Sequence, residues 1–181
     1  MKLKERGLKK GLKIAISGRS GCGNTTVSTM IADALDYRLI NYTFHTLADE
    51  MEIPFKELCR LAENDPQYDY KVDERQIAMT EGGDCVLGSR LAIWLCKDAD
   101  LKVFLTASPE VRSGRIKKRE GGSVETVIEE TRARDERDHK RYLKLYDIDN
   151  EKFNFADLVI DTEKYTPEEI RDLIIKHAEK V

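Results

Sequence analysis

Short apolar runs alternate along this chain with longer stretches whose apolar residues recur at helical spacing. Lys13-Ile14-Ala15-Ile16-Ser17 is compact, rich in Ile and ends at Gly18, which predicts a buried strand. After a glycine-rich turn, Val27, Met30, Ile31 and Leu35 fall on one face of a helix over 25–35. A second short strand is predicted at 37–41. From 43 to about 82 the pattern is helical throughout, with Pro54 and Pro66 each suited to a first turn. Two further apolar runs, 85–88 and 101–106, flank a short helix at 90–95. Pro109 opens the next helix, residues 123–146 form a long charged one, 157–161 is a fifth strand, and a helix from Pro167 closes the chain. Strands without polar alternation, separated by helices, predict a parallel sheet covered on both faces. The expected fold class is therefore α/β, a three-layer α/β/α domain on a five-stranded parallel sheet.

Composition narrows the function. The 181 residues are 40% apolar, enough for one ordinary core, and the net charge is only −3. That balance disfavours a strongly basic binder of nucleic-acid polymers, and the apolar content disfavours a disordered chain. No apolar run approaches the ~20 residues of a membrane span, and MKLKERGLKKGLK lacks the apolar stretch of a signal peptide. Cys22, Cys59, Cys85 and Cys96 have neither metal-like nor disulfide-framework spacing, so they read as reduced thiols of a cytoplasmic protein. The small net charge conceals +5 over residues 1–13 and +4 over 111–144, leaving −12 on the remainder. Residues 1–12 are expected to be a solvated basic tail, with the domain spanning 13–181.

Gly18-Arg19-Ser20-Gly21-Cys22-Gly23-Asn24-Thr25 nearly matches G-x-x-x-x-G-K-[ST], and it lies where that motif works, between the first strand and the first helix. Glycines let backbone N–H groups curl inward, the helix N-terminus adds partial positive charge, and together they cradle phosphates. Thr25 would supply the hydroxyl for Mg²⁺. The departure is Asn24, where the pattern has Lys: an amide still donates a hydrogen bond to phosphate but brings no charge. Charge-assisted bonds are worth about 1.5–3 kcal/mol against about 1 for neutral ones, so the loss costs a decade or more in affinity or rate unless another cation supplies the charge. Arg19 and the later arginines are the available sources.

Arg90 immediately follows the third strand, at the sheet edge where open α/β folds place ligands. Arg112, Arg115 and Arg119 recur at i, i+3, i+7, and Arg134, Arg137 and Arg141 repeat the spacing on the next helix. Either face alone reads as a solvated basic surface with pairs to acids such as Asp138. Two such faces flanking Glu120-Gly121-Gly122-Ser123 read as a hinged flap that brings cations to a transferring phosphoryl group and excludes water.

These residues carry a resemblance to the archaeal-type cytidylate kinases, within the nucleoside monophosphate kinases. It runs from about Gly11 to the C-terminus, through 16–26, Leu-Ala-Glu-Asn-Asp-Pro (61–66), Asp-Glu-Arg-Gln (73–76), Arg-Leu-Ala-Ile-Trp (90–94), Arg-Ile-Lys-Lys-Arg-Glu-Gly (115–121) and Lys-Arg-Tyr-Leu-Lys-Leu-Tyr-Asp-Ile-Asp (140–149). The resemblance implies a P-loop kinase fold, a monophosphate-binding insertion near 43–82, a lid near 115–134, and Mg²⁺-dependent transfer from ATP to CMP or dCMP. It implies that Gly18 to Thr26, with Arg119, hold ATP, and that Arg75 and Arg90 grip the acceptor phosphate. Arg115 would close on the ATP phosphates, Arg134 and Arg141 would stabilise the transferring phosphoryl, and Asp138 would orient an arginine or the nucleotide. His45 stands where the family's insertion has an arginine for the acceptor phosphate. Gly88-Ser89 stands where an acid and a glycine end the third strand. Small-molecule nucleotides are the implied partners, and a monomer the implied state. Three readings stay open: an active cytidylate kinase, a small-molecule kinase with another acceptor, and a nucleotide-binding module that has lost catalysis.

Overall fold

The computed structural model describes residues 8–181. Five strands, β1 (Lys13–Gly18), β2 (Arg38–Ile40), β3 (Cys85–Gly88), β4 (Leu101–Thr106) and β5 (Leu158–Asp161), form one sheet in the order β2-β3-β1-β4-β5. Every pairing is parallel, and the register sets Ile16 opposite Gly88 and Gly18 opposite Leu105. The carboxyl ends of β1, β3 and β4 therefore share one edge. From β1 the chain crosses to β2 and returns to β3 on one side, then adds β4 and β5 on the other, and a crevice opens at such a switch point.

Alternation along β1 builds both faces. Ile14 and Ile16 meet α1 (Asn24–Leu35) and α8 (Pro167–Ala178) through Val27, Ile31, Ile170 and Ile174. Ala15 belongs to the opposite face, packed with the short helix α5 (Ala92–Leu95), Phe104 and the partly buried Phe153 and Trp94. The buried hydroxyl of Ser17 accepts from the Ile93 N–H at 3.1 Å and so pins α5 to the sheet.

The insertion resolves into three helices, α2 (Phe44–Glu50), α3 (Phe55–Asn64) and α4 (Gln67–Ala78), rather than one continuous helical stretch. Pro54 and Pro66 sit at the N-caps of α3 and α4, the first turns the sequence assigned them. The insertion has its own small core of Tyr42, Leu47, Ala48, Leu58 and Val72. Helices α6 (Pro109–Glu120) and α7 (Val124–Tyr146) form an antiparallel-reading hairpin joined at Gly121-Gly122-Ser123. Helix α5 starts two residues later than the predicted 90, which leaves Arg90 in the loop after β3. Among the described residues no helix is long and apolar enough to cross a membrane.

The expected tail at 1–12 needs correction over its second half. Leu12 is fully buried, Leu8 packs against the same core, the Gly11 N–H donates to Asp84 at 2.9 Å, and Lys9 pairs with Asp100 at 2.6 Å. Residues 1–7 of that tail lie outside the described residues. The basic composition hid two apolar anchors spaced four apart. Leu12→Ala is expected to cost about 2–5 kcal/mol of stability by urea denaturation, the range for deleting a buried Leu; a solvated tail residue would cost almost nothing.

Candidate active site

The loop between β1 and α1 is shaped by arginines behind it. Arg112, only 2% exposed, donates to the Ser20 carbonyl at 3.1 Å, and Arg115 donates to the Gly21 carbonyl at 3.2 Å. Cys22 N–H donates to the Arg19 carbonyl at 3.1 Å, and the other loop N–H groups are left for a ligand. Gly21 must be glycine: its φ is 85°, and a Cβ would lie 2.7 Å from the Arg112 carbonyl. Hydroxyls of Thr43, Ser108, Ser123 and Thr166 cap α2, α6, α7 and α8, whereas α1, like α3, α4 and α5, has no side-chain cap. Its first-turn donors and the positive end of its dipole are available to an anion.

Two acids one helical turn apart on α7 hold this arrangement. Asp135 takes Arg112 through both oxygens, at 2.6 and 3.3 Å, and lies 3.9 Å from Arg19. Arg19 also donates to Glu151 at 2.8 Å. Asp138 pairs with Arg90, whose other nitrogen donates to Ser20 Oγ at 2.9 Å. Burial pushes the Asp138 carboxyl above its ordinary value even though Arg90 opposes the shift. Farther along α7, both oxygens of Asp69 on α4 bind Arg141, with Arg141 Nε donating at 2.7 Å.

These elements enclose a cavity of about 1300 Å³ that runs from the phosphate loop to the insertion. Gly18 to Thr26 form part of its wall, and Arg90, Arg115, Arg119, Arg134, Asp138 and Arg141 also reach it. Arg134 and Arg137 line it with no hydrogen-bond or ion-pair partner among the described residues. Arg115 is held at its rim by Thr162, with bonds of 2.8 and 2.9 Å, and Arg119 pairs with Glu120.

Two expected contacts fall outside the wall. Arg75 is exposed, because α4 turns Asp69, Val72, Asp73 and Gln76 toward the cavity, and position 75 lies off that i, i+3, i+4, i+7 face. His45 is exposed and stacks on Phe55 with ring centroids 3.6 Å apart, so Phe55 meets the cavity and His45 backs it. Conversely, Asp69, Asp73, Gln76 and Tyr142 line the cavity and were given no role from sequence, and Arg137, read there only as part of a basic helix face, lines it too. The spacing on α4 could have flagged the first three.

Asn24 does not reach out as a lysine would. Its amide nitrogen donates to the Ser89 carbonyl at 3.3 Å, and its Oδ1 is buried without a partner, as are Ser28 Oγ and Ser89 Oγ. The missing acid at 88 has a steric counterpart. A Cβ on Gly88 would lie 2.5 Å from Ser28 Oγ and 2.9 Å from Ser28 Cβ.

Residues 13–164 match the model of the cytidylate kinase-like family. The chain belongs to that family. It is 47% identical over 173 residues to Cytidylate kinase 2 of Borreliella burgdorferi, covering 93% of this chain and 96% of that protein. It is 39% identical over 171 residues to Cytidylate kinase of Archaeoglobus fulgidus, covering 93% and 95%. Among solved structures it is similar to shikimate kinase from Bacteroides thetaiotaomicron, with a TM-score of 0.62 at 14% identity over 93% of this chain and 96% of that one. At that identity the likeness is one of fold: the five-stranded parallel sheet with helices on both sides is the P-loop kinase architecture.

Within this family member, Gly88 and Ser28 interlock. Gly88→Ala is expected to cost about 1–3 kcal/mol by overpacking, measured by urea denaturation. Adding Ser28→Gly should recover part of that loss, so the two changes will be less than additive.

Proposed function

We propose that this chain transfers the γ-phosphoryl group of ATP to CMP or dCMP, yielding ADP and the nucleoside diphosphate. One observation carries the reading: a single cavity joins an uncapped phosphate loop to the insertion, with the unpaired Arg134 and Arg137 beside it. The ATP phosphates lie on the loop N–H groups and the α1 N-terminus. The acceptor monophosphate enters from the α2–α4 side, with Arg90 at the sheet edge near its phosphate. A phosphate oxygen of the acceptor is the nucleophile, and with a second pKa of about 6 it is already ionised at neutral pH. No protein base is needed. The protein's work is positioning and charge.

The residues present fit Mg²⁺ in a limited way. Thr25 offers an exposed hydroxyl on the first turn of α1, and the buried Ser89 Oγ and Asn24 Oδ1 are oxygens without partners. Hard oxygen donors suit an ion that keeps most of its waters and substrate phosphates as ligands. Thr25 would hold it directly. Bound there, Mg²⁺ would neutralise charge building on the phosphate oxygens. Arg134 and Arg137 supply cationic charge that the loop lacks at Asn24, and Arg115 and Arg119 approach from α6. We place the reaction in the cytoplasm, on a monomer, in keeping with four unpaired thiols of which three are buried.

A coupled assay of ADP formation tests the reading, with ATP, Mg²⁺ and each monophosphate in turn. CMP-dependent turnover is expected; ATP binding without turnover, or turnover with an unrelated acceptor alone, overturns it. Asn24→Lys should raise kcat about tenfold or more if phosphate-loop charge limits the rate. An unchanged rate would assign that charge wholly to the arginines.

A further inference from the structure

The insertion end of the cavity has a one-sided supply of hydrogen-bonding atoms. Several of its donors are already used. Tyr42 OH donates to Glu50 at 2.6 Å, Tyr70 OH to the Leu145 carbonyl at 3.2 Å, and Tyr146 OH to Asp73 Oδ2. Arg141 is committed to Asp69 and to the Ala62 carbonyl. Gln76 donates its amide to the Tyr42 carbonyl at 2.6 Å, which fixes which way its side chain is turned. On α4, Asp73 through Oδ1 and Gln76 through Oε1 line the cavity and keep an oxygen with no donor among the described residues; the exposed Asn41 and Glu63 are further lining acceptors without one. Asp73 and Gln76 both act as acceptors, four and seven residues along α4 from the Asp69 carboxylate that Arg141 neutralises.

A base with an exocyclic amine offers two N–H donors, whereas one with a keto oxygen at that position presents lone pairs to two acceptors. We infer that Asp73 and Gln76 read the exocyclic amine of the acceptor base and make this chain discriminate cytosine from uracil, with Asp73 the decisive group. This deepens the proposed function and rests on it. Its physical basis is the asymmetry of buried polar contacts: a group left facing a like partner forfeits its desolvation without recompense.

The same site implies a pH signature. Burial, with Asp69 beside it and the Tyr146 hydroxyl opposing, pushes the Asp73 carboxyl up to about 6. The other groups around it are Asp69 on its own helix, Arg141, Tyr142 and Tyr146 on α7, Tyr70 against Tyr146, and Tyr42 at the end of β2. Above that value the carboxylate accepts from an amine. Below it the protonated acid can donate to a keto oxygen, so uracil is penalised less.

The experiment compares kcat/KM for CMP and UMP in the wild type and in Asp73→Asn. Asparagine keeps an oxygen for Tyr146 OH and turns an amide donor toward the cavity. The CMP-to-UMP ratio is expected to fall about tenfold or more, through a rise in KM for CMP, with KM for ATP unchanged. In the wild type the ratio should fall as pH drops from about 8 to about 5. Both nucleotides carry the same 5′-phosphate, so its ionisation cancels in the ratio. A merely structural Asp73 would lower CMP and UMP turnover together and leave the ratio unmoved, which overturns the inference while the kinase reading stands. A ratio independent of pH overturns it equally, without any variant that must fold. Wild-type protein that turns over neither monophosphate overturns the kinase reading instead.

Discussion

The buried pair between Arg112 and Asp135 is the contact on which the site depends. Arg112 is almost wholly enclosed, and its guanidinium simultaneously binds the Ser20 carbonyl of the phosphate loop. Removing either partner would strand a charge out of water, a loss of about 3–5 kcal/mol. The pair also fixes geometry, because it joins the root of α6, the loop and the middle of α7. Arg90 and Asp138 repeat the join one turn farther along, using the Ser20 hydroxyl. The loop therefore owes its shape to charges behind it as well as to its glycines.

This arrangement bears on the absent lysine. A P-loop lysine delivers a point charge from within the loop, whereas this chain carries its charge on the surrounding helices. Some of those arginines are committed to carboxylates and act as struts. Arg134 and Arg137 have no hydrogen-bond or ion-pair partner among the described residues and line the cavity. Asn24 is a cross-link between α1 and the end of β3, through Ser89. Ser28, one turn later on α1, fills the space that a side chain at 88 would need. Losses that look separate in sequence are thus parts of one repacked corner.

The fold was legible because its signals are local. Ile14 to Gly18 reads as a strand from composition alone, and the glycine spacing that follows needs no partner to be recognised. The prolines at 54 and 66 marked helix starts for the same reason. What was not legible depends on contacts between distant residues. Arg112 meets Asp135 across 23 residues, and Arg141 meets Asp69 across 72, so sequence could not say which arginines were already engaged. Helix α4 is polar on most of its surface, so the helical spacing of Asp69, Asp73 and Gln76 about Val72 was a weak signal for the inward face, and Arg75 drew more notice. The basic composition near the start likewise masked Leu8 and Leu12, whose burial only the packed sheet reveals.

Arg115 ties α6 to Gly21 and Thr162, and the buried Thr131 and the paired Asp135 anchor α7 on the other side of the hairpin. Between these moorings lie the last turn of α6, Gly121 and Gly122 with positive φ, and the first turns of α7. The hairpin is thus moored at both roots, and its tip, the stretch between those attachments, lies free of bonds to the phosphate loop.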